Sequence, residues 1–288
     1  MKRKSKLQRH AAVTAWLFLL PSLAGVAVFV LWPFAETVKR SFQNDPGTAW
    51  VGLKNYESVV QNEAFRLAAR NTARFLSICV PLLVVFSLLL AFLIGWLKDR
   101  GNPFKTTALL PMAIPVASIC VIWKVLFAKN GAINWLLASV GANQVDFLGT
   151  DAAFWVLVAT YLWKNIGYDM ILWLSGLEGI SKSLYEAAQV DGAGSWQQFR
   201  YITLPLLRPT LGIVAIMSLL NGFKVFREAW LVAGSYPHDS IYLLQHLFNN
   251  WFRGLDLGRL TAGAVMMAIA LVAVILCFLI LLARRDRK

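Results

Sequence analysis

The sequence is short of charge. Only 15% of its 288 residues are Asp, Glu, Lys or Arg, while 58% are hydrophobic; soluble domains carry roughly 25% charged residues. A water-soluble fold of this length has no interior large enough to hide so much apolar surface. Cysteine and histidine are scarce too, at three each. Cys79, Cys120 and Cys277 all fall inside apolar runs and read as small packing residues, not as disulfide partners or metal ligands. His10, His238 and His246 are scattered over connecting segments on different sides of the runs. No metal-ligand spacing and no nucleophile–base arrangement emerges, so no catalytic residue and no metal site is assigned. The G-x-x-x-x-G-K-[ST] phosphate loop is missing as well. Any nucleotide chemistry then belongs to another subunit, and no cofactor is expected in this chain.

Acid is scarcer than base, with 15 Asp and Glu against 28 Lys and Arg, for a formal net charge of +13. Such an excess can mark a nucleic-acid partner. Here the basic residues sit between and beside apolar runs, which is how membrane orientation is encoded, so lipid is the implied surrounding and nucleic acid is not a partner.

What the chain has in plenty is long apolar runs. A helix of about 20 apolar residues crosses a bilayer while satisfying its own backbone hydrogen bonds. Runs of that length cover about Ala12–Phe34, Thr72–Leu97, Thr106–Phe127, Ala153–Ser175, Thr210–Val232 and Thr261–Ala283. The fold class read from them is all-α integral membrane with six transmembrane helices. The first run follows a basic head but is too long for the core of a signal peptide, so an uncleaved first helix is expected. A polar stretch, residues 39–71, follows it, with Asn44-Asp45-Pro46-Gly47 as a turn signal. Pro81, Pro111 and Pro115 lie within runs and are expected to kink helices, not to break them.

Six crossings put both termini on one side. That side holds residues 1–11, the Lys98–Lys105 and Gly176–Pro209 loops and the tail 284–288, with 15 of the 28 Lys and Arg residues; the opposite loops hold 8. The positive-inside rule places the richer side in the cytoplasm. The domain reading is a basic cytoplasmic N-terminus over residues 1–11, a membrane domain over 12–283 and a basic cytoplasmic tail over 284–288.

The loop before the fifth run is unusually structured. From Ser183 it reads SLYEAAQVDGAGSWQQFRYITLPLLRP. Ser183 with Glu186, and Ser195 with Gln198, have capping-box spacing. Between them Asp191-Gly192-Ala193-Gly194 has the residue types that end a helix and turn the chain. Pro205 and Pro209 stop or kink the chain as the fifth run begins. Two short helices at a bend are predicted, with small Ala187 and Ala188 allowing close approach of another surface. An ordinary well-capped connector would look the same.

Glu186-Ala187-Ala188, then Gly192, then Ile202, Leu204 and Pro205 resemble the EAA loop of permease subunits of binding-protein-dependent ABC importers. Asp191 before the glycine fits that pattern. Val51-Gly52-Leu53-Lys54-Asn55-Tyr56, Asn71-Thr72, Asn102-Pro103-Phe104 through Pro111, Gly131-Ala132-Ile133-Asn134 and Phe223-Lys224-Val225-Phe226 resemble the branch with the maltose and glycerol-phosphate permeases. Gly234-Ser235-Tyr236-Pro237-His238 departs from a stretch common in that branch and leaves the solute open. The resemblance implies a type I ABC importer permease fold, with the loop at about 183–205 docking as a coupling helix on a cytoplasmic ATPase that binds the ATP. Glu186, Ala187, Ala188, Asp191 and Gly192 would carry that contact. It also implies a second, homologous permease, an extracytoplasmic solute-binding protein and a small-molecule solute, most simply a sugar, oligosaccharide, polyol or sugar phosphate.

Polar residues within the fourth and fifth runs are the candidates for the solute path. Ionisable groups at membrane depth usually face a bundle interior or a wet cavity. Lys164, Asn165, Tyr168 and Asp169 lie in the fourth run, and Ser218, Asn221, Lys224, Arg227 and Glu228 in the fifth. Related sugar permeases line their site from these two helices, which nominates Trp163, Lys164, Asn165, Tyr168, Ser218, Asn221 and Lys224. The structural alternative pairs Lys164 with Asp169 or Glu228 and leaves Arg227 at the outer headgroups. A non-sugar permease, a secondary transporter acting without ATP and a membrane receptor or assembly factor are the competing readings.

Overall fold

The computed structural model describes residues 6–97 and 102–285. The first residues of the basic head and the end of the tail, residues 1–5 and 286–288, lie outside the described residues, as do residues 98–101. The regular structure among the described residues is helical apart from one isolated antiparallel bridge, Gln43 with Trp50. In order the helices are α1 (Lys6–Val26), α2 (Trp32–Arg40), α3 (Lys54–Gln61), α4 (Glu63–Trp96), α5 (Asn102–Ala113), α6 (Val116–Leu126), α7 (Ala132–Ser139) and α8 (Ala152–Glu178). They continue as α9 (Lys182–Val190), α10 (Ser195–Gln198), α11 (Leu204–Leu206), α12 (Arg208–Lys224), α13 (Phe226–Ala233), α14 (Leu244–Arg253) and α15 (Leu257–Arg285). A π-helical turn, Ala27–Leu31, joins α1 to α2, and another, Phe199–Thr203, joins α10 to α11.

Among the described residues, four helices are long and apolar enough to cross a membrane: Thr14–Arg40, Glu63–Trp96, Arg208–Ala233 and Leu257–Leu282. The pair Pro103–Ala113 and Val116–Leu126 makes a fifth if counted as one crossing. α8 has the length, about 40 Å at 1.5 Å per residue, but Lys164, Asn165 and Asp169 and its Trp and Tyr residues lower its hydropathy.

Pro81 and Pro111 stay inside helices, as expected. Pro115 does not. It ends α5 and opens α6, and the two helices meet at 92°. The ring forces Ile114 away from helical geometry and removes a donor. Pro115 itself is extended, with φ −56° and ψ 137°. Its carbonyl then accepts from Ser118 and Ile119 to start the new helix. The expected kink is therefore a break.

The described residues form two compact units, one within 6–62 and 251–270, the other within 63–250 and 271–285. In the first, the expected turn at Asn44–Gly47 forms with Gly47 at φ +76°, and its amide donates to the Asn44 carbonyl at 2.7 Å. Asn55 ties this turn down, donating to the carbonyls of Ser41 (2.9 Å) and Gln43 (2.7 Å), while Phe42 stacks on Trp50. Asp45 Oδ1 accepts from the Gly258 amide at 2.7 Å.

In the second unit α8 packs against α4, α5 and α12. Phe75, Cys79 and Leu83 of α4 meet Phe154, Leu157 and Tyr161 of α8 in one buried cluster. Ala91 and Ile94 meet Met170, Trp173 and Leu174 in another, with Trp173 Nε1 donating to Ser87 Oγ at 3.0 Å between them. Close approach of α5 depends on Gly167, where a Cβ would run into the Ala108 carbonyl. Small residues at such crossings are how membrane helices gain packing that lipid cannot supply.

The Asn71-Thr72 pair anchors the segment before α14. Asn71 Nδ2 donates to the carbonyls of Asp239 and Tyr242, at 2.5 and 3.1 Å, and Thr72 Oγ1 accepts from the Leu244 amide at 3.0 Å. α4 begins at Glu63, so residues 63–71, expected as loop, are helix. His246, also expected in a loop, is fully buried on α14 between the rings of Phe226 and Tyr242. Its Nδ1 accepts from the Leu243 amide at 3.2 Å, which fixes a neutral ring.

Two outcomes follow. Gly167→Ala should destabilise the protein by about 1–3 kcal/mol, since the added methyl meets backbone and overpacks the crossing; an unchanged melting temperature in detergent would refute the close approach. Burial pushes the His246 imidazole down to about 4, below the ordinary 6.5 of the unfolded chain. The unfolded state then binds more protons between these values, so stability is full above pH 6.5 and falls as pH drops towards 4, by a few kcal/mol at most. Thermal unfolding at pH 7.5 and pH 5 should show this loss, and His246→Phe should flatten it.

Candidate functional site

Two places gather the polar residues singled out in the sequence. The first is the loop after α8. α9 starts at Lys182 with Ser181, not Ser183, as its N-cap, and no side chain bonds the cap. Ser183 Oγ instead pairs with Ser181 Oγ at 2.7 Å. Glu186 falls in the second turn, beyond reach of the free amides, so the expected Ser183–Glu186 box does not form and Glu186 is exposed. The second box is displaced by one residue. Gly194 is the N-cap of α10, and its amide donates to Gln197 Oε1 at 2.8 Å; Gln198 Nε2 donates back to the Ala193 carbonyl at 2.9 Å.

The turn between the helices forms as the residue types predict. Gly192 has φ +79°. Its amide donates to the Gln189 carbonyl at 3.0 Å, and the Ala193 amide to the Ala188 carbonyl at 2.8 Å. This paired bonding is a Schellman motif, in which a left-handed glycine satisfies the last carbonyls of the helix. Tyr185 points inward, and its hydroxyl pairs with Thr203 Oγ1 at 2.8 Å. Glu186, Ala187 and Asp191 face outward, beside the exposed apolar side chains of Val190 and Trp196, while Ala188 is half-buried. The loop is thus a braced helix–turn–helix with an apolar outer surface.

The second place is a cavity of about 330 Å³ bounded by α8, α12 and α13 and by the backbone at the α5–α6 break, residues 112–116. α8 contributes Thr160, Tyr161, Lys164 and Asn165, and the other side contributes Asn221, Lys224, Val225, Arg227 and Glu228. Non-helical backbone at membrane depth is tolerated only where protein buries it or it lines a cavity. The break meets that condition.

Lys164 is paired with Glu228, and both side chains are largely buried. Asp169 is fully buried and accepts from Ser218 Oγ at 2.6 Å. Tyr161 donates to the Ser218 carbonyl at 2.6 Å. Of the two carboxylates offered for Lys164 by the sequence, the fold selects Glu228. Lys224 Nζ donates to Asn221 Oδ1 at 3.1 Å.

Lys164, Asn165, Asn221 and Lys224 therefore come together at the cavity. Trp163, Tyr168 and Ser218 do not line it. Trp163 packs on Trp123 with ring centroids 5.4 Å apart, and Ser218 is buried in the α8–α12 contact. Arg227, Glu228 and the 112–116 backbone line the cavity without having been nominated. Pro111 and Pro115 were the signal for the backbone stretch. No group of three His, Cys, Asp or Glu side chains able to hold a metal occurs among the described residues.

A helical membrane protein with a cavity lined by charged and amide side chains among its helices, and a braced, exposed loop, has the parts of a transport component. Residues 75–288 match the model of the binding-protein-dependent transport system inner membrane component, and the chain belongs to that family. It is an integral inner-membrane transport component and not a catalytic subunit. It is similar to the lactose transport system permease protein LacF of Rhizobium radiobacter, 28% identical over 99% of this chain and 98% of the relative. It is also similar to the trehalose/maltose transport system permease protein MalF of Thermococcus litoralis, 31% identical over 91% of each. Its fold matches a chain of a bacterial ABC transporter involved in the import of the acidic polysaccharide alginate, with TM-score 0.84, 22% identity and coverage of 97% and 99%.

The ion pair makes a direct prediction. Glu228→Ala leaves Lys164 buried without its counter-charge, which typically costs about 3–5 kcal/mol. Lys164→Met combined with Glu228→Leu should recover most of that loss in a melting experiment. Additive losses in the double variant would mean that the two residues do not act as a pair.

Proposed function

We propose that this chain is one permease subunit of an ATP-driven importer of a saccharide or related polyol, and forms half of its translocation pathway. The observation that carries the reading is the similarity to lactose and trehalose/maltose permeases along nearly the whole chain. α8 is then the sixth crossing, with its Lys164, Asp169 and Tyr161 partnered from α12 and α13. Six crossings put both termini in the cytoplasm, with the richer share of basic residues. The domain reading is unchanged: a basic head over 1–11, the membrane domain over 12–283 and a basic tail over 284–288.

In this reading the loop at about 183–205 is the coupling element. Its bracing supports a mechanical role, because a rigid insert transmits a rigid-body switch where a floppy one would absorb it. Glu186, Ala187, Ala188, Asp191 and Gly192 would seat it on a separate ATPase, which binds and hydrolyses the ATP. A second permease completes the pathway, and an extracytoplasmic binding protein delivers the solute. Lys164, Asn165, Asn221 and Lys224 stand on the solute path. Trp163, Tyr168 and Ser218 act on it indirectly, through packing and through the α8–α12 contact.

Glu186→Lys and Gly192→Asp should each abolish ATP-dependent uptake while the protein still reaches the membrane. Glu186 is exposed and unbraced, so its replacement should leave the melting temperature unchanged within about 0.5 kcal/mol of stability. Uptake by the assembled complex in proteoliposomes checks this; normal uptake with Glu186→Lys would remove the coupling assignment.

A further inference from the structure

The cavity is not electrically balanced. Its lining includes three cations, Lys164, Lys224 and Arg227, and one carboxylate, Glu228. The Lys164–Glu228 pair cancels, leaving two positive charges, since three minus one is two. Lys224 bonds only the neutral Asn221 amide. Arg227 enters no ion pair among the described residues, and neither does Lys224. The other acid nearby, Asp169, is turned to Ser218. Lysine and arginine near a span end can snorkel to headgroups, but both side chains line the same cavity as Asn165 and the broken backbone. Unneeded basic residues on the outer part of a span also run against the charge bias of membrane topology.

We propose that this cavity takes a solute bearing negative charge, a carboxylate- or phosphate-carrying saccharide or polyol, with Arg227 and Lys224 as its counter-charges. The inference rests on the reading that the cavity lies on the solute path. A guanidinium matches a carboxylate or phosphate with two parallel hydrogen bonds, and the ammonium adds a point charge. Both side chains are exposed in the chain by itself, so the two interactions strengthen only where bound solute and the second permease exclude water, and there a neutral isostere leaves the cations unanswered.

The test uses the complete assembly in proteoliposomes: this chain, its second permease, the ATPase and the binding protein. The labelled probes are glycerol 3-phosphate, a uronic-acid trisaccharide, lactose and maltotriose. ATP-dependent uptake of an acidic probe is expected, falling at least about tenfold with Lys224→Gln plus Arg227→Gln and partly restored by the conservative pair Lys224→Arg with Arg227→Lys. Uptake of neutral sugars alone, or acidic uptake unaffected by the double variant, overturns the inference and leaves the saccharide-permease reading standing. Uptake of none of the four overturns both. Failure of the double variant to co-purify with the second permease assigns the cations to subunit pairing and overturns the inference. Anionic headgroups share the chemistry, so vesicles of phosphatidylcholine alone are compared with vesicles containing phosphatidylglycerol. A defect confined to the latter assigns the cations to lipid and overturns the proposal; an equal defect in both supports it.

Discussion

The ionisable groups that α8 carries into the apolar part of the molecule need partners inside the protein. Lipid offers no substitute hydrogen bonds, so an unmet carboxylate or ammonium there is costly. Lys164 meets Glu228 and Asp169 meets Ser218, while Tyr161 reaches the Ser218 carbonyl. These contacts fix how α8 lies against α12 and α13, and with them the cavity between. The same constraint explains the break at Pro115: backbone freed from helix geometry is admissible because the cavity lies beside it.

Outside the apolar part, the same accounting is done by asparagines. Asn55, Asn71 and Asn134 each bridge backbone groups that helix or turn geometry leaves open. Asn134 is fully buried, donating to the carbonyls of Ala128 and Val145 and accepting from the Val145 amide. An amide side chain offers both donors and an acceptor at once, which suits it to close a loop on itself. Three of the short segments that carry the family resemblance are thus built around structural clips, and their message concerns fold before function.

The loop after α8 shows the opposite division of labour. Its inward groups, Tyr185 and Thr203, hold its shape, and its Schellman turn at Gly192 sets the angle between the helices. The outward side chains of Glu186 and Asp191 make no hydrogen bond or ion pair among the described residues. A surface that is rigid inside and unspent outside fits a contact that must transmit force to another subunit.

Composition and run length determined that this is a helical membrane protein, because apolar surface on that scale has no other solvent. The glycine at the turn after α9 was legible because a left-handed position favours it. Helix starts were misjudged by two residues at Ser183 and by one at Ser195, since Ser181 and Gly194 are equally admissible caps and local spacing does not choose among them. Only the tertiary structure decided that Lys164 pairs with Glu228 and not Asp169, that Ser218 is spent on a buried contact, and that Pro115 breaks its helix beside a cavity. Those outcomes depend on which helices face one another. Pairings between residues 49 to 64 positions apart leave no periodic trace in the sequence.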